Sequence, residues 1–270
     1  AQLTGKMAVP AVTNILQSGH PAEVNLVKKA LMTLAPQHFL PLLTDHYQDY
    51  PGEAKIVVLE LIGARHAKQY NDMVLQEATS NTDKKIRISA LKTLKHIAVA
   101  QNMDVLLSAF NSTEEALELD AIRIAIQSLI GRSQRQDKLI TKVQRSMLPS
   151  PVSKQKEYLK LFSGIGSQEA IHAVMEVYEQ SSPELKLAAV HTLSQWNDSK
   201  SLDDLFSVVE TEKNLKIRNE AFNGCLGLIS GSRISAAQKL LYYRKLMNIS
   251  RSAAEKKKII KDIGDLKFFP

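Results

Sequence analysis

The chain of 270 residues is 44% hydrophobic and 6% aromatic, with 11 Gly, 9 Pro and a single cysteine, Cys225. This composition excludes an internal disulfide and a metal site built from several cysteines, and it disfavours a protein of strands and tight turns. Lys and Arg outnumber Asp and Glu by 35 to 28, and the resulting net charge of +7 favours anionic partners. The basic residues are interleaved with acidic ones and do not form a basic tail.

Apolar residues recur with helical spacing along the chain, and no segment shows the sustained period-two alternation of a strand. In chain order, the pattern predicts pairs made of an outer helix and an inner helix. The outer helices are predicted near 4–18, 38–48, 69–80, 101–110, 135–147, 168–180, 200–211 and 235–248. The inner helices are predicted near 21–35, 52–65, 83–99, 115–131, 151–164, 183–196, 214–230 and 252–264.

The spacing of these helices predicts an internal repeat of about 32 residues, because basic residues return on the inner helices at that interval. This basic column comprises Lys55, Arg87, Arg123, Lys154, Lys186, Arg218 and Lys256. An apolar residue follows each member by seven positions, which is two helical turns and therefore the same helix face. This apolar column comprises Ile62, Leu94, Ile130, Leu161, Leu193, Cys225 and Ile263.

Helix boundaries support the same register. Four positions before five of the basic residues stand good N-cap residues, namely Asp83, Ser150, Ser182, Asn214 and Ser252. Prolines are predicted at the starts of inner helices, and glycines near the ends of three of them. These residues are Pro21, Pro51, Pro151, Pro183, Gly131, Gly164 and Gly231. The predicted fold is therefore an all-α superhelix of about eight antiparallel helix pairs, forming a single domain over 1–270.

The repeated arrangement of a hydrophobic residue, a basic residue and an alanine three positions later resembles the second helix of HEAT repeats. It is clearest in Ile86-Arg87…Ala90, Leu185-Lys186…Ala189 and Ile217-Arg218…Ala221. The resemblance covers the chain and implies an armadillo-type α-solenoid. It also implies that the basic column forms a ladder to acidic or amide groups near the neighbouring inner helix. The sequence departs from the pattern at Asn25 in repeat one, and at Ser153 and Glu157 in repeat five.

The segment Arg251–Gly264 is similar to a segment of HEAT-containing secreted or periplasmic proteins of Bacteroidetes and related bacteria. That resemblance implies a secreted or periplasmic location, although a cytoplasmic one stays open. It also implies a role as accessory module of a sugar-processing protein. The chain stops at Phe268-Phe269-Pro270, where a further outer helix is expected, so the sequence predicts a fragment of a longer protein.

No pattern of residues predicts catalysis or a metal site. The histidines include no His-x-x-x-His pair, and Asp203-Asp204 suit the start of an outer helix, where acidic side chains are favoured. Gly164-Ile165-Gly166 lacks the residues of a phosphate loop and lies where an inner helix ends. The sequence therefore predicts a protein that is not an enzyme and has no cofactor, no metal and no small-molecule substrate.

The leading functional prediction is a scaffold that binds another protein along its inner helices. The alternative is nucleic-acid binding through a basic concave face, as in HEAT-type DNA glycosylases. Tyr242, Tyr243 and Arg244 form the candidate partner contact, although only one of the tyrosines can face the core. Basic clusters that could serve the alternative are Arg132, Arg135, Lys138, Lys142 and Arg145, and Lys256, Lys257, Lys258 and Lys261. The sequence contains no run of roughly 18 apolar residues, so it predicts no membrane span.

Overall fold

The fold is an all-α solenoid of antiparallel helix pairs, as predicted. The structure is a computed structural model that describes residues 9–196 and 198–266, and within them it contains 16 α-helices and no strand. The chain divides into two compact units, Ala1–Gln134 and Arg135–Pro270. The continuity of the array over 1–270 stays a prediction. Phe268 and Phe269 lie outside the described residues.

The first unit contains eight helices. They are α1 (Val9–Ser18), α2 (Pro21–Leu31), α3 (Leu40–Asp45), α4 (Gly52–Ala64), α5 (Asn71–Ser80), α6 (Lys84–Ile97), α7 (Met103–Ser112) and α8 (Ala116–Arg132). Short 3-10 turns lie at Pro36–His38, Tyr47–Asp49, Lys68–Tyr70 and Ala100–Asn102. The inner helices α2, α4, α6 and α8 pack side by side, and each outer helix packs on the inner helix that follows it.

The second unit repeats this arrangement. Its helices are α9 (Gln136–Met147), α10 (Val152–Ser163), α11 (Gln168–Gln180), α12 (Pro183–Ser194), α13 (Leu202–Thr211), α14 (Leu215–Gly231), α15 (Ala236–Ile249) and α16 (Ala253–Gly264). A 3-10 turn at Ser199–Ser201 precedes α13. Here α10, α12, α14 and α16 form the inner layer.

Each predicted helix is present in the described residues, outside which lies the part 4–8 of the first outer helix, and the largest departures lie in the first two pairs. The predicted helix 21–35 ends earlier, at Leu31, and the chain turns through 32–34 before Ala35, which precedes a proline and is extended with ψ 131°. The predicted helix 38–48 is shortened to six residues, Leu40–Asp45, followed by the 3-10 turn Tyr47–Asp49.

The apolar column forms the core of the repeats. Ile62, Leu94, Ile130, Leu161, Leu193 and Cys225 are each 0% exposed. Ile263, near the end of α16, is half-buried. Since these residues come from seven different inner helices, their burial shows that one helix face is used in the same way in each repeat.

Three of the five predicted N-caps form the expected hydrogen bond. Asp83 accepts from the Lys85 amide at 2.7 Å, Asn214 from the Lys216 amide at 3.0 Å and Ser252 from the Glu255 amide at 3.2 Å. Ser182 occupies the N-cap position of α12 as predicted, whereas the prediction for Ser150 is wrong. The Ser150 hydroxyl donates to the Ser146 carbonyl instead, because α10 begins one residue later, after Pro151. The Ser182 side chain makes no cap hydrogen bond to α12.

We predict that replacing Leu94 or Leu193 by Ala lowers the free energy of unfolding by about 2–5 kcal/mol, because each leaves a cavity in a fully buried position. Denaturant unfolding followed by circular dichroism measures the loss. Leu215→Ala is the matched control, because Leu215 lies on an inner helix but is 68% exposed. A loss below about 0.5 kcal/mol at both core positions would contradict the register.

Candidate functional site

Arg87 joins three segments of the first unit. It lies in the first turn of α6, and its guanidinium donates to the Glu118 carboxylate of α8 at 2.6 Å. Its Nη1 donates to the carbonyls of Asn81 and Thr82, at 2.9 and 3.0 Å, just after α5 ends. Glu118 is buried and also accepts from Thr113 at 3.2 Å. One arginine therefore fixes its own outer helix and the inner helix of the next repeat.

Arg218 occupies the equivalent position of α14 and is only 2% exposed. It donates to the carbonyls of Val209 and Ile249, both at 3.1 Å, and to the carboxylate of Glu255 in the first turn of α16. Burial opposes the ionisation of Glu255, but hydrogen bonds from Arg218 and from the Arg251 amide outweigh it and lower its pKa. The pair is therefore ionised at neutral pH.

Two lysines at this position, Lys186 and Lys55, make a different contact. Lys186 lies 5.2 Å from the ring centroid of Tyr178, whose hydroxyl donates to Glu212 at 2.8 Å. Lys55 lies 5.4 Å from the ring centroid of Tyr47. An ammonium group lacks the planar fork of arginine, and it instead sits over an aromatic face. In both repeats the tyrosine precedes the lysine by eight residues. This spacing is visible in the sequence and could have predicted the contact, which the basic column alone does not.

Two members of the basic column do not occupy the ladder position. Arg123 is the eighth residue of α8, one turn beyond the position of Arg87 in α6, and it pairs with Asp120 of its own helix at 2.5 Å. Lys154 lies one residue before the equivalent position in α10, which Gln155 occupies. Gln155 donates to the carbonyls of Leu148 and Ser150, at 3.2 and 2.8 Å, as Arg87 does after α5. Lys256 occupies the equivalent position of α16 and is exposed.

A second set of links lies at the other end of the inner helices, and the sequence patterns did not predict it. Arg65 donates to the carbonyls of Leu31, Met32 and Leu34, at 3.2, 2.5 and 2.9 Å, where α2 ends. Arg132 likewise donates to the carbonyls of Lys95 and Ala98 at the end of α6. Both arginines satisfy carbonyls that have no partner within their helix. Arg132 is thus a helix cap, whereas the sequence placed it in a solvated cluster.

Further ion pairs connect successive inner helices. They are Lys28–Glu60, Lys84–Glu115 and Lys156–Glu184, at 2.6, 2.5 and 2.5 Å, and a hydrogen bond joins His191 Nδ1 and Glu220 Oε1 at 2.7 Å. These side chains are partly exposed, so each contributes little to stability. They also balance charge, because each of these basic side chains lies against a carboxylate of the neighbouring repeat.

The net positive charge belongs to the second unit. The first unit contains 13 Lys and Arg and 13 Asp and Glu, a net charge of zero. The second contains 22 and 15, a net charge of +7. A basic surface for nucleic acid would therefore lie in the second unit.

A groove lies between α6 and α8 in the first unit, with a volume of about 490 Å³. We call it the α6–α8 groove, and its lining residues are Ile88, Lys92, Lys95, His96, Leu117, Asp120, Ala121 and Ile124. Leu117 is 63% exposed and Ile124 is 38% exposed, although both are large apolar side chains. The α8 wall is mainly apolar and the α6 wall is mainly basic.

The predicted contact at Tyr242, Tyr243 and Arg244 is only partly at the surface. Tyr243 is 1% exposed and belongs to the core, so it is unavailable to a partner. Tyr242 is half-buried and stacks on Phe206, with ring centroids 5.9 Å apart and planes at 20°. Arg244 is exposed. The proposed contact of the second unit is thereby reduced to one arginine and part of one tyrosine ring.

A metal site or a nucleophilic thiol would need particular side-chain arrangements among the described residues. Among them, no group of three or more His, Cys, Asp or Glu side chains is placed to hold a metal ion. Burial raises the pKa of the Cys225 thiol to about 12, so this side chain stays protonated at neutral pH. No described helix combines the length and the apolar character needed to cross a bilayer.

The fold and the groove together define the class of protein, an all-α solenoid of helix pairs. Comparison with the models of known protein families and with curated proteins finds no match to the sequence. The function must therefore be inferred from the surface of the inner helices.

We predict that Arg218→Met lowers the free energy of unfolding by about 3–5 kcal/mol, because it leaves the Glu255 carboxylate without its buried partner. Thermal or denaturant unfolding measures the loss. Glu255→Gln added to Arg218→Met should recover part of it, since an uncharged side chain needs no counter-charge. Arg244→Met, at an exposed arginine, is the control. Equal stability of the Arg218 and Arg244 variants would refute a structural role for the ladder.

The Arg218–Glu255 pair should also make stability depend on pH. The folded pKa of Glu255 is lowered from 4.5, so the unfolded state binds the proton more tightly. The stabilisation is therefore complete above the unfolded pKa and is lost as the pH falls through the lower folded pKa. Urea unfolding measured between about pH 3 and 7 should show this loss. Glu255→Gln should flatten the profile, and an unchanged profile would show that Glu255 is not linked to folding.

Proposed function

We propose that this protein is a non-enzymatic protein-binding module and that it holds a segment of its partner in the α6–α8 groove. The observation that carries the proposal is the exposure of Leu117 and Ile124, two turns apart on one face of α8, in a groove whose other wall includes Ile88 of α6. Large apolar side chains that line a concave surface mark binding sites more often than isolated ones do.

The construction of the groove supports the same function. Arg87 connects α6 to α8 through Glu118, and the Lys84–Glu115 pair connects the starts of the same two helices. The walls of the groove are therefore held at a fixed spacing before any partner arrives. A preformed surface loses less conformational entropy on binding, so more of the contact energy appears as affinity.

Nucleic-acid binding is the second candidate, and one observation favours it: the net charge of +7 in the second unit. Two observations weigh against it. Glu118 and Glu255 neutralise the ladder arginines Arg87 and Arg218, so these two residues offer no charge to phosphates. Aromatic side chains for stacking on bases are scarce, since Tyr, Phe and Trp make up 6% of the chain.

We predict that a peptide library displayed on phage yields peptides that bind this protein and that Leu117→Asp removes their binding. The introduced carboxylate disrupts the apolar wall without touching the core, because Leu117 is already exposed. Leu215→Asp is the matched control, at a leucine that is 68% exposed in the first turn of α14. Circular dichroism confirms that both variants fold.

The competing functions give different outcomes. Peptides whose binding survives Leu117→Asp, or no enriched peptide at all, would exclude the groove. Binding of a labelled DNA or RNA oligonucleotide that weakens steeply between about 50 and 200 mM salt would favour the nucleic-acid candidate. In that case, Lys→Glu changes in the second unit, and not Leu117→Asp, should remove it.

A further inference from the structure

We infer that the occupant of the α6–α8 groove is a short amphipathic helix with acidic residues along one edge of its apolar face. This inference rests on the proposed function, since it specifies the partner of that same groove. It follows from three properties of the groove: the charge of its α6 wall, the neutralisation of its one acid, and the lack of a strand edge beside it.

The α6 wall presents uncompensated positive charge. Lys92 and Lys95 are three residues apart on α6, which places them on the same face of the helix. Both are exposed, and neither forms an ion pair with any residue that the structure describes. Arg132, which caps the carbonyls of Lys95 and Ala98, adds a third positive charge at the end of α6.

The single acidic residue that lines the groove offers no compensation to these lysines. Asp120 of α8 is already paired with Arg123 at 2.5 Å. His96 adds no steady charge, because burial and its neighbours His66, Lys95 and Arg132 lower its pKa, which leaves the ring neutral at neutral pH. The lysine pair therefore sets the sign of the α6 wall, and carboxylates are the complementary groups.

The α8 wall sets the spacing of the apolar residues in the occupant. Leu117 and Ile124 are seven residues apart, so they lie about 10 Å from each other along one face of α8. A helix of about three turns that lies along the groove would meet them with apolar side chains at positions i, i+3 or i+4, and i+7. Its acidic residues would then lie on the side that faces α6.

A helical occupant fits the groove better than an added strand, because a helix pairs its own backbone N–H and C=O groups. An extended peptide that binds by strand addition needs a neighbouring strand edge to pair its N–H and C=O groups, and the described residues contain no strand. A helix satisfies these groups internally, so it can bind through side chains alone. The groove offers side chains from two helices and no backbone ladder.

The experiment uses the peptides that the phage selection enriches through Leu117. Their sequences should show an apolar i, i+3 or i+4, i+7 pattern with Asp or Glu beside it. The dissociation constant of a fluorescent synthetic copy is then measured by anisotropy with the full chain. We expect the double change Lys92→Glu and Lys95→Glu to weaken binding by tenfold or more, on the order expected when like charges oppose each other.

A charge-swapped peptide, with each acidic residue replaced by Lys, completes the test. It should bind the Lys92→Glu, Lys95→Glu variant more tightly than it binds the natural sequence. Lys216→Glu, at an exposed lysine near the start of α14, is the control and should change neither affinity. Circular dichroism in water should show that the acidic peptide gains helical content when it binds.

The failures of the two proposals are distinguishable. Peptides that depend on Leu117 but carry no acidic residues, or keep their affinity after charge reversal of Lys92 and Lys95, would overturn this inference and leave the groove as a binding site. Bound peptides that stay extended would overturn its helical part. If no selected peptide depends on Leu117, the proposed function itself fails.

Discussion

At Arg87 and Arg218, the link between successive repeats is an arginine that bonds backward to its own outer helix and forward to the next inner helix. A single helix pair cannot bury its apolar stripe, so each pair needs a neighbour. Apolar contact alone is not directional, and one helix could slide along another by a turn at modest cost. The guanidinium of Arg218 removes that freedom, because its hydrogen bonds to Val209, Ile249 and Glu255 can be satisfied together in only one register. Such a buried pair need not stabilise the fold more than apolar residues would, and its effect is to specify one arrangement.

The groove is a consequence of that register. Arg87 and Glu118 hold the starts of α6 and α8 together, while Arg132 reaches from the end of α8 to the carbonyls at the end of α6. Fixed at both ends, the two helices keep Lys92 opposite Ile124 and its neighbours. A sliding contact between them would change which apolar residue faces which lysine. The structural links of the first unit thus also determine what its surface can recognise.

The fold followed from the sequence because its signal is periodic. The apolar column reports a helix face, and six of its seven members are completely buried. The partners of the basic column did not follow, because periodicity says nothing about what a neighbouring repeat supplies. Arg123 and Lys154 fit the interval in the sequence, yet the helix starts shift them from the ladder position, which Gln155 takes in α10. The groove was not predicted either, since Lys92 and Leu117 become neighbours only when two repeats pack.

Charge has two different uses on the same helix. Arg87 and Lys92 are five residues apart on α6, but a glutamate of the next repeat neutralises the arginine, and no described carboxylate pairs with the lysine. The first unit as a whole carries no net charge, so its total charge conceals the positive wall of the groove. Binding depends on charge that is left uncompensated at one place, and not on the sum over a unit. The distinction matters in this chain because ion pairs between successive inner helices place charges of both signs along the same surface. The informative residues are those such as Lys92 and Lys95, which have no ion-pair partner among the described residues and lie beside an exposed apolar surface.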